Sequence, residues 1–308
     1  MIRTRSTSLL AVVGAACVVL LASCQTPSTG LSAASAVKTM DVNGARLAYV
    51  EQGRGEPVVF VHGGVADYRV WDRQRAALAA DGYRAIAYTQ RYFGTAPWSP
   101  EWPPFNEQTH SDDLVAFIRG LGAGPVHVVA WSYSGHVALN AALNHPDLVK
   151  SAFVFEPAAP TYVTDAATLK AIGDDGGSMA GPVVQAMKEG NNAEAMKRLL
   201  DGVSERAGYF AAQPAAAQAM FLDNARTVPP MFGAKTPQIS CAQLAAIKSR
   251  VAIVRTGDDR PYFKLIADEA ARCMPSQKYI VVPKGKHVWP GEDVAAFNTT
   301  LVGFLKGR

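Results

Sequence analysis

A serine hydroxyl is a weak nucleophile near neutral pH. It becomes an effective one when a base lies within hydrogen-bond reach and a third group orients that base. The stretch Val126-His-Val-Val-Ala-Trp-Ser-Tyr-Ser-Gly135 holds a serine in a setting that suits this chemistry. Val126 to Ala130 is a short apolar, β-branched run, the pattern of a buried strand in a parallel sheet. His136 to Asn144 reads as a helix packed on that sheet. Ser132 therefore occupies a strand–turn–helix corner, a strained turn that lifts its Oγ clear of the sheet. Strand and helix pass close together there, and Ala130, Ser134 and Gly135 are the small neighbours this demands. The outer positions depart from Gly-x-Ser-x-Gly, yet both are small enough for the turn.

Six histidines are available as the base. His287 suits the role best. It lies in the loop Pro283-Lys-Gly-Lys-His-Val-Trp-Pro, after a strand at Tyr279 to Val282 and before the last helix, and is expected to be exposed to a cleft. His145 precedes Pro146 and reads as a surface helix end. His127 in a strand, His110 near a helix start and His136 on the helix after Ser132 read as structural.

The elements that must position these groups alternate. Met40 to Val50 reads as a hairpin turning at Asn43-Gly44. Strands are expected at Pro57–His62, Arg84–Tyr88, Ser151–Phe155 and Val251–Arg255. Helices are expected at Arg69–Ala80, at Ser111–Leu121 with Ser111 or Thr109 as N-cap, at Ala242–Ser249, at Tyr262–Cys273 and at Val294–Leu305. Gln90 to Phe105 reads as a long loop rich in aromatics and proline. Such alternation means a doubly wound, mostly parallel α/β sheet. From Ala158 to Ser240 strands vanish, which implies a helical insertion broken at Gly176-Gly177, Gly181-Pro182, Gly190-Asn-Asn and Val228-Pro-Pro. The expected organisation is a core of residues 39–157 and 241–308 with a cap of residues 158–240.

The chain has 308 residues, enough for a large hydrophobic core, and 18% charged residues. Net charge is +4, and two of the positive charges, Arg3 and Arg5, belong to a leader. No basic block stands out, which argues against a nucleic-acid partner. Arg3 and Arg5 form the charged start of a signal peptide over residues 1–23. Leu9 to Leu21 is its apolar region, short for a membrane span. Leu21-Ala-Ser-Cys24 resembles a bacterial lipobox, whose cysteine is lipidated, and residues 24–38 read as a flexible tether. The implied location is the cell envelope, exported and anchored to a membrane through lipid on Cys24. Of four cysteines, Cys241 and Cys273 remain in the body of the chain, either paired in an oxidising compartment or as two buried thiols. Neither has metal-ligand spacing, and no metal or cofactor is implied.

The order strand-His62-Gly-Gly64, strand, Ser132 turn, strand-Glu156-Pro157, helical insertion, strand-Gly257-Asp-Asp259, strand-loop-His287 resembles the α/β-hydrolase family with a cap domain, from about residue 40 to the end. That resemblance implies an oxyanion hole formed by the N–H groups of Gly64 and Tyr133, where fixed dipoles meet the charge that develops on a carbonyl oxygen. Most family members carry an acid three residues after the glycine ending the seventh strand, but Arg260 fills that slot here. A minority place it after the preceding core strand, where Glu156 stands. The resemblance thus favours Glu156 as the orienting acid, with Asp259 as the alternative. Epoxide hydrolase and haloalkane dehalogenase members use aspartate at the turn where this chain has Ser132. The expectation is a serine hydrolase that cleaves carboxylic esters or lactones of a small to medium apolar substrate through an acyl-enzyme. Tyr92, Phe93, Trp98, Trp102 and Phe105, with Met220, Phe221, Met231 and Phe232, are candidates for lining its pocket. The rivals are a carbon–carbon bond hydrolase, a perhydrolase, or a non-catalytic envelope binding protein of the same fold.

Overall fold

A computed structural model describes residues 1–2 and 36–307, and the statements below concern 36–307. Cys24, the leader and most of the expected tether lie outside the described residues. Strands β1 (Lys38–Val42) and β2 (Ala45–Gln52) form the hairpin, with Asn43 and Gly44 both left-handed at the turn. They pair antiparallel with each other, and β2 runs antiparallel to β4. The other strands are β3 (Pro57–Val61), β4 (Arg84–Tyr88), β5 (Val126–Trp131), β6 (Val149–Phe155), β7 (Arg250–Thr256) and β8 (Lys278–Val282). The eight-stranded sheet has the order β1-β2-β4-β3-β5-β6-β7-β8, and every pair from β4 to β8 is parallel.

Strand alternation divides the core into two layers. Val59, Val61, Ile86, Val128 and Ala130 pack with α2 (Glu107–Leu121), α3 (Tyr133–Asn144) and α9 (Pro261–Cys273). Val58, Phe60, Ala85 and Val129 face the other way, onto α1 (Asp72–Ala80) and the last helix (Val294–Leu305). Helices thus cover both faces, as a doubly wound sheet requires.

Between β6 and β7 the described residues form helices and loops only: α4 (Ala166–Lys188), α5 (Asn192–Ser204), α6 (Ala215–Asn224), α7 (Val228–Gly233) and α8 (Cys241–Ala245). Two expected breaks do not occur. Helix α4 runs unbroken through Gly176-Gly177 and Gly181-Pro182. Packing against α5 and α9 outweighs the poor intrinsic propensity of those residues. Gly176 is part of that packing, since a Cβ there would stand 2.8 Å from the Tyr262 ring. Val228-Pro-Pro likewise opens α7, because proline suits the first helical turn. Helix α2 starts earlier than expected. Its cap is Asn106, whose side chain accepts from Thr109 N–H at 2.8 Å, so Thr109 and Ser111 lie inside the helix. A disulfide joins Cys241, at the start of α8, to Cys273, at the end of α9, with Cα atoms 5.0 Å apart.

Candidate active site

Ser132 follows β5 directly and opens α3 with φ of 61°, a left-handed backbone that only a tightly held turn sustains. Its N–H continues the ladder to Phe155 O at 2.9 Å, and its own carbonyl accepts from Gly135 N–H at 2.8 Å. Ser134 locks the corner, donating from Oγ to Val61 O at 2.8 Å and accepting from Trp131 N–H at 3.0 Å. Gly135 has no room for a side chain, since a Cβ would lie 2.8 Å from Pro157 Cα.

Glu156 follows β6 in the same way. It too is left-handed, at φ 45°, and it is 0% exposed. Oε1 accepts from Thr256 N–H and Thr256 Oγ1, both at 2.8 Å, and Oε2 accepts from His287 Nδ1 at 2.7 Å. The imidazole is stacked flat on Phe263, 3.5 Å between centroids and 8° between planes. The His287 backbone carbonyl accepts from Trp131 Nε1 at 2.9 Å. His287 is 2% exposed, so the expected cleft-exposed loop histidine is instead buried by these aromatic neighbours. Burial pushes its pKa down to about 4; the Asp259 carboxyl opposes this and the Arg260 guanidinium adds to it. The resting ring is therefore neutral at pH 7, with Nδ1–H committed to Glu156 and Nε2 left as a base.

Asp259 completes this group. Ligand-type atoms of Glu156, Asp259 and His287 lie within 4.8 Å of one another. Burial, and then the neighbouring Glu156, push the Asp259 pKa up to about 9. Two carboxyls this close in a buried site disfavour each other's ionisation. Asp259 Oδ1 accepts from Arg260 N–H at 2.7 Å, while Oδ2 has no hydrogen-bond partner among the described residues. Burial raises the pKa of Glu156, and its bonds from Asp259 and Thr256 counter that. By composition the trio could ligate a cation. The Nδ1 atom, however, is already committed to Glu156. Arg260, in the slot where an acid was expected, turns to the insertion instead. It pairs with Asp175 at 2.7 Å and donates to Gly202 O at 2.8 Å.

Ser132 and His287 border a cavity of about 280 Å³, together with Gly64 and Tyr133. No hydrogen bond joins the Ser132 hydroxyl to His287 among the described residues; such contacts commonly tighten only around a substrate. Tyr133 is the first residue of α3, where N–H groups have no acceptor within the helix. The turn carrying Gly64 is braced by buried His62, which donates from Nδ1 to Gly63 O at 2.8 Å and accepts from Gln90 N–H at 3.0 Å. Val65, next in that turn, is left-handed at φ 51° despite its β-branch. Three further histidines are engaged elsewhere. His110 Nδ1 accepts from the Tyr133 hydroxyl at 2.7 Å, His127 meets Ser151 Oγ at 2.6 Å, and His136 donates to Pro237 O at 2.7 Å.

The rest of the lining is mainly apolar, including Val65, Leu199, Leu200, Phe221, Met231 and Phe232. Met220 is buried in a cluster of insertion residues with Val65, Ala66 and Val288, and does not border the cavity. The loop aromatics also differ from expectation. Tyr92 packs on Trp98, Trp102 and Phe105, and Phe93 on Phe105, forming a cluster around His110 rather than the cavity wall. The sequence reading missed Thr256, Phe263 and Glu107, which borders the cavity. For Glu107 a signal existed: Asn106 three residues before Thr109 is a helix-cap pattern.

Residues 58–300 match the Alpha/beta hydrolase family. The chain belongs to the alpha/beta hydrolase family. Among curated relatives, an epoxide hydrolase of Caballeronia sordidicola is 34% identical over 119 residues, 38% of this chain and 36% of that protein. A non-heme chloroperoxidase of Kitasatospora aureofaciens is 34% identical over 93 residues, 30% of this chain and 33% of that protein. The matched part of this alpha/beta hydrolase thus spans about a third of the length of these relatives. The solved structure of a bacterial membrane phospholipase A superposes with a TM-score of 0.68 at 20% identity, covering 89% of this chain and 86% of the other. At that identity the likeness shows the fold.

Proposed function

We propose that this protein is a serine hydrolase that cleaves carboxylic esters or lactones through an acyl-enzyme, with Ser132 as nucleophile, His287 as base and Glu156 as the orienting acid. The observation that carries this reading is the 2.7 Å bond from His287 Nδ1 to buried Glu156, on a histidine that shares one cavity with the strained Ser132. In this mechanism His287 Nε2 takes the Ser132 proton as Oγ attacks the acyl carbon. The oxyanion is held by the N–H groups of Gly64 and Tyr133. His287 then returns the proton to the departing alkoxide, the alcohol leaves, and water resolves the acyl-enzyme by the same steps. Glu156 stabilises the transient imidazolium. Serine at the turn argues against epoxide opening of the kind that uses an aspartate there, although one relative is an epoxide hydrolase.

In this reading residues 158–240 form a cap over a core of residues 39–157 and 241–308. The chain is exported, cut before Cys24 and lipid-anchored there. The Cys241–Cys273 disulfide supports an oxidising compartment. No helix among the described residues is long and apolar enough to cross a membrane. Mass spectrometry of the mature N-terminus tests the anchor, with Cys24→Ser expected to abolish lipid labelling. A fluorophosphonate probe and a chromogenic ester series test the chemistry. The wild type should label and turn over, and Ser132→Ala should lose labelling and about 10³-fold or more in kcat. An active, labelled Ser132→Ala protein would refute the mechanism.

A further inference from the structure

A buried base that takes up a proton becomes a cation with little water to stabilise it. His287 is 2% exposed, and one face of its ring lies on Phe263, with centroids 3.5 Å apart and planes 8° from parallel. That separation is about the contact distance between carbon atoms, so the rings sit almost centred over each other. Two neutral aromatic rings favour offset or edge-to-face pairs with centroids about 4.5–7 Å apart. A cation, by contrast, is best placed over a ring face, where the quadrupole is negative. The other rings beside His287 do not offer this geometry. Trp131 is tilted by 48° at 5.9 Å, and Phe155 lies 6.2 Å away. Phe263 is held in place: it is 1% exposed, stands in the first turn of α9, and meets the Tyr262 ring at 87° and 5.1 Å. Asp175 of the insertion fixes that turn, accepting from Tyr262 N–H at 2.9 Å and from Arg260 Nε at 2.7 Å. The Tyr262 hydroxyl donates to Ala158 O at 2.7 Å.

We propose that Phe263 is a positioning residue for the base: it holds the His287 ring face-on and stabilises the imidazolium that forms when His287 takes the Ser132 proton. Glu156 acts on the ring edge, through its bond to Nδ1, and Phe263 acts on the ring face. The stack is weak with the neutral ring and strong with the cation. It therefore favours the transition state over the resting enzyme, which is what lowers a barrier. Acylation and deacylation both pass through this cation, so kcat reports it whichever step is slower. The inference rests on the hydrolase reading above for the imidazolium, and on the stack for the residue that stabilises it.

The test replaces Phe263 with mono-, di- and trifluorophenylalanine by genetic-code expansion. These rings are close in shape to phenylalanine and drain negative charge from the ring face in steps. On a p-nitrophenyl ester, kcat should fall with each added fluorine, by roughly tenfold over the series. KM should change by less than about twofold. Phe263→Leu, which keeps apolar cover without a ring face, should fall at least as far. A ring that only fills space would not respond to fluorine in this graded way. Equal kcat across the series overturns the inference even if Phe263→Leu is slow, because bulk alone then explains the loss. A loss carried by KM overturns it too, since Phe263 borders the cavity and would then act only as a wall for substrate. Either result leaves the hydrolase reading intact. Should the wild type turn over no ester and take no fluorophosphonate, that reading fails and this inference falls with it.

Discussion

The sheet edge and the helical insertion hold their residues by different means. At the edge, Ser132, Glu156 and Gly257 each follow directly on a strand. Their N–H groups extend the ladder, to Phe155 O and Val254 O at 2.9 Å and to Val282 O at 2.7 Å. The insertion has no such ladder to the core. Side chains secure it: Arg260 to Asp175, Arg69 to Asp223 at 2.7 Å, Asn224 to Asp67 at 2.8 Å, and Arg226 to Gly94 O at 2.7 Å. Backbone pairing survives a change of side chain, whereas a side-chain tie does not. Substitutions at the edge should therefore remove chemistry and spare the fold, while substitutions in the ties should change what the cavity binds.

The largest effect is expected at the edge. Glu156→Gln keeps the backbone bond to Val254 and loses only the charge beside His287. An amide there favours the wrong imidazole tautomer, so kcat should fall about 10²–10⁴-fold with an unchanged circular dichroism spectrum. A near-normal kcat would assign the acid elsewhere. On the insertion side, Arg260→Ala removes the tie to Asp175 and Gly202 while its backbone N–H still holds Asp259. A loss of roughly tenfold in kcat/KM, carried mainly by KM, is expected from steady-state kinetics. A loss confined to kcat would show that the tie supports the chemistry instead.

Asp259→Asn should cost less than about tenfold in kcat, because a neutral amide can replace the protonated acid beside Glu156. Its effect on stability carries a sign. Asp259 holds its proton in the folded state up to about 9, far above the ordinary aspartate value of 3.8. Between those values the folded chain keeps a proton that the unfolded chain releases, so this group erodes stability as pH rises. Asp259→Asn removes that erosion and should gain on the wild type from pH 5 to pH 8. Urea midpoints at the two values measure it, and a difference independent of pH would exclude the raised Asp259 pKa. The smallest catalytic effect belongs to the disulfide, which closes a sequence separation of 32 residues between α8 and the far end of α9. Cys241→Ser with Cys273→Ser should lower unfolding free energy by about 3–4 kcal/mol and change kcat by less than about twofold. A large loss of kcat would mean that α9 carries strain to Phe263 and His287.

Local patterns were legible where one segment decides its own structure. The run Val126 to Gly135 places Ser132 in its corner because strand propensity, small neighbours and the following helix lie within ten consecutive residues. The parallel sheet followed from alternation, and the hairpin from Asn43-Gly44. Helix limits were less legible where packing competes with propensity, as α4 and the early start of α2 demonstrate.

By itself, the amino-acid order determined the strand–turn–helix at Ser132, the alternation that builds a doubly wound sheet, and the absence of an acid at Arg260. It narrowed the carboxylate facing His287 to two, Glu156 and Asp259. Only the tertiary structure shows which of them bonds His287 Nδ1, since Glu156 and His287 are 131 residues apart in the chain. The direction of the Glu156 side chain depends on a left-handed backbone and on Thr256 from a neighbouring strand. The same holds for Glu107, whose loop, helix start and Thr236 partner converge from separate segments. Propensity acts over a few residues, whereas a pKa, a buried hydrogen bond and a cavity wall depend on whatever the fold brings within a few ångströms.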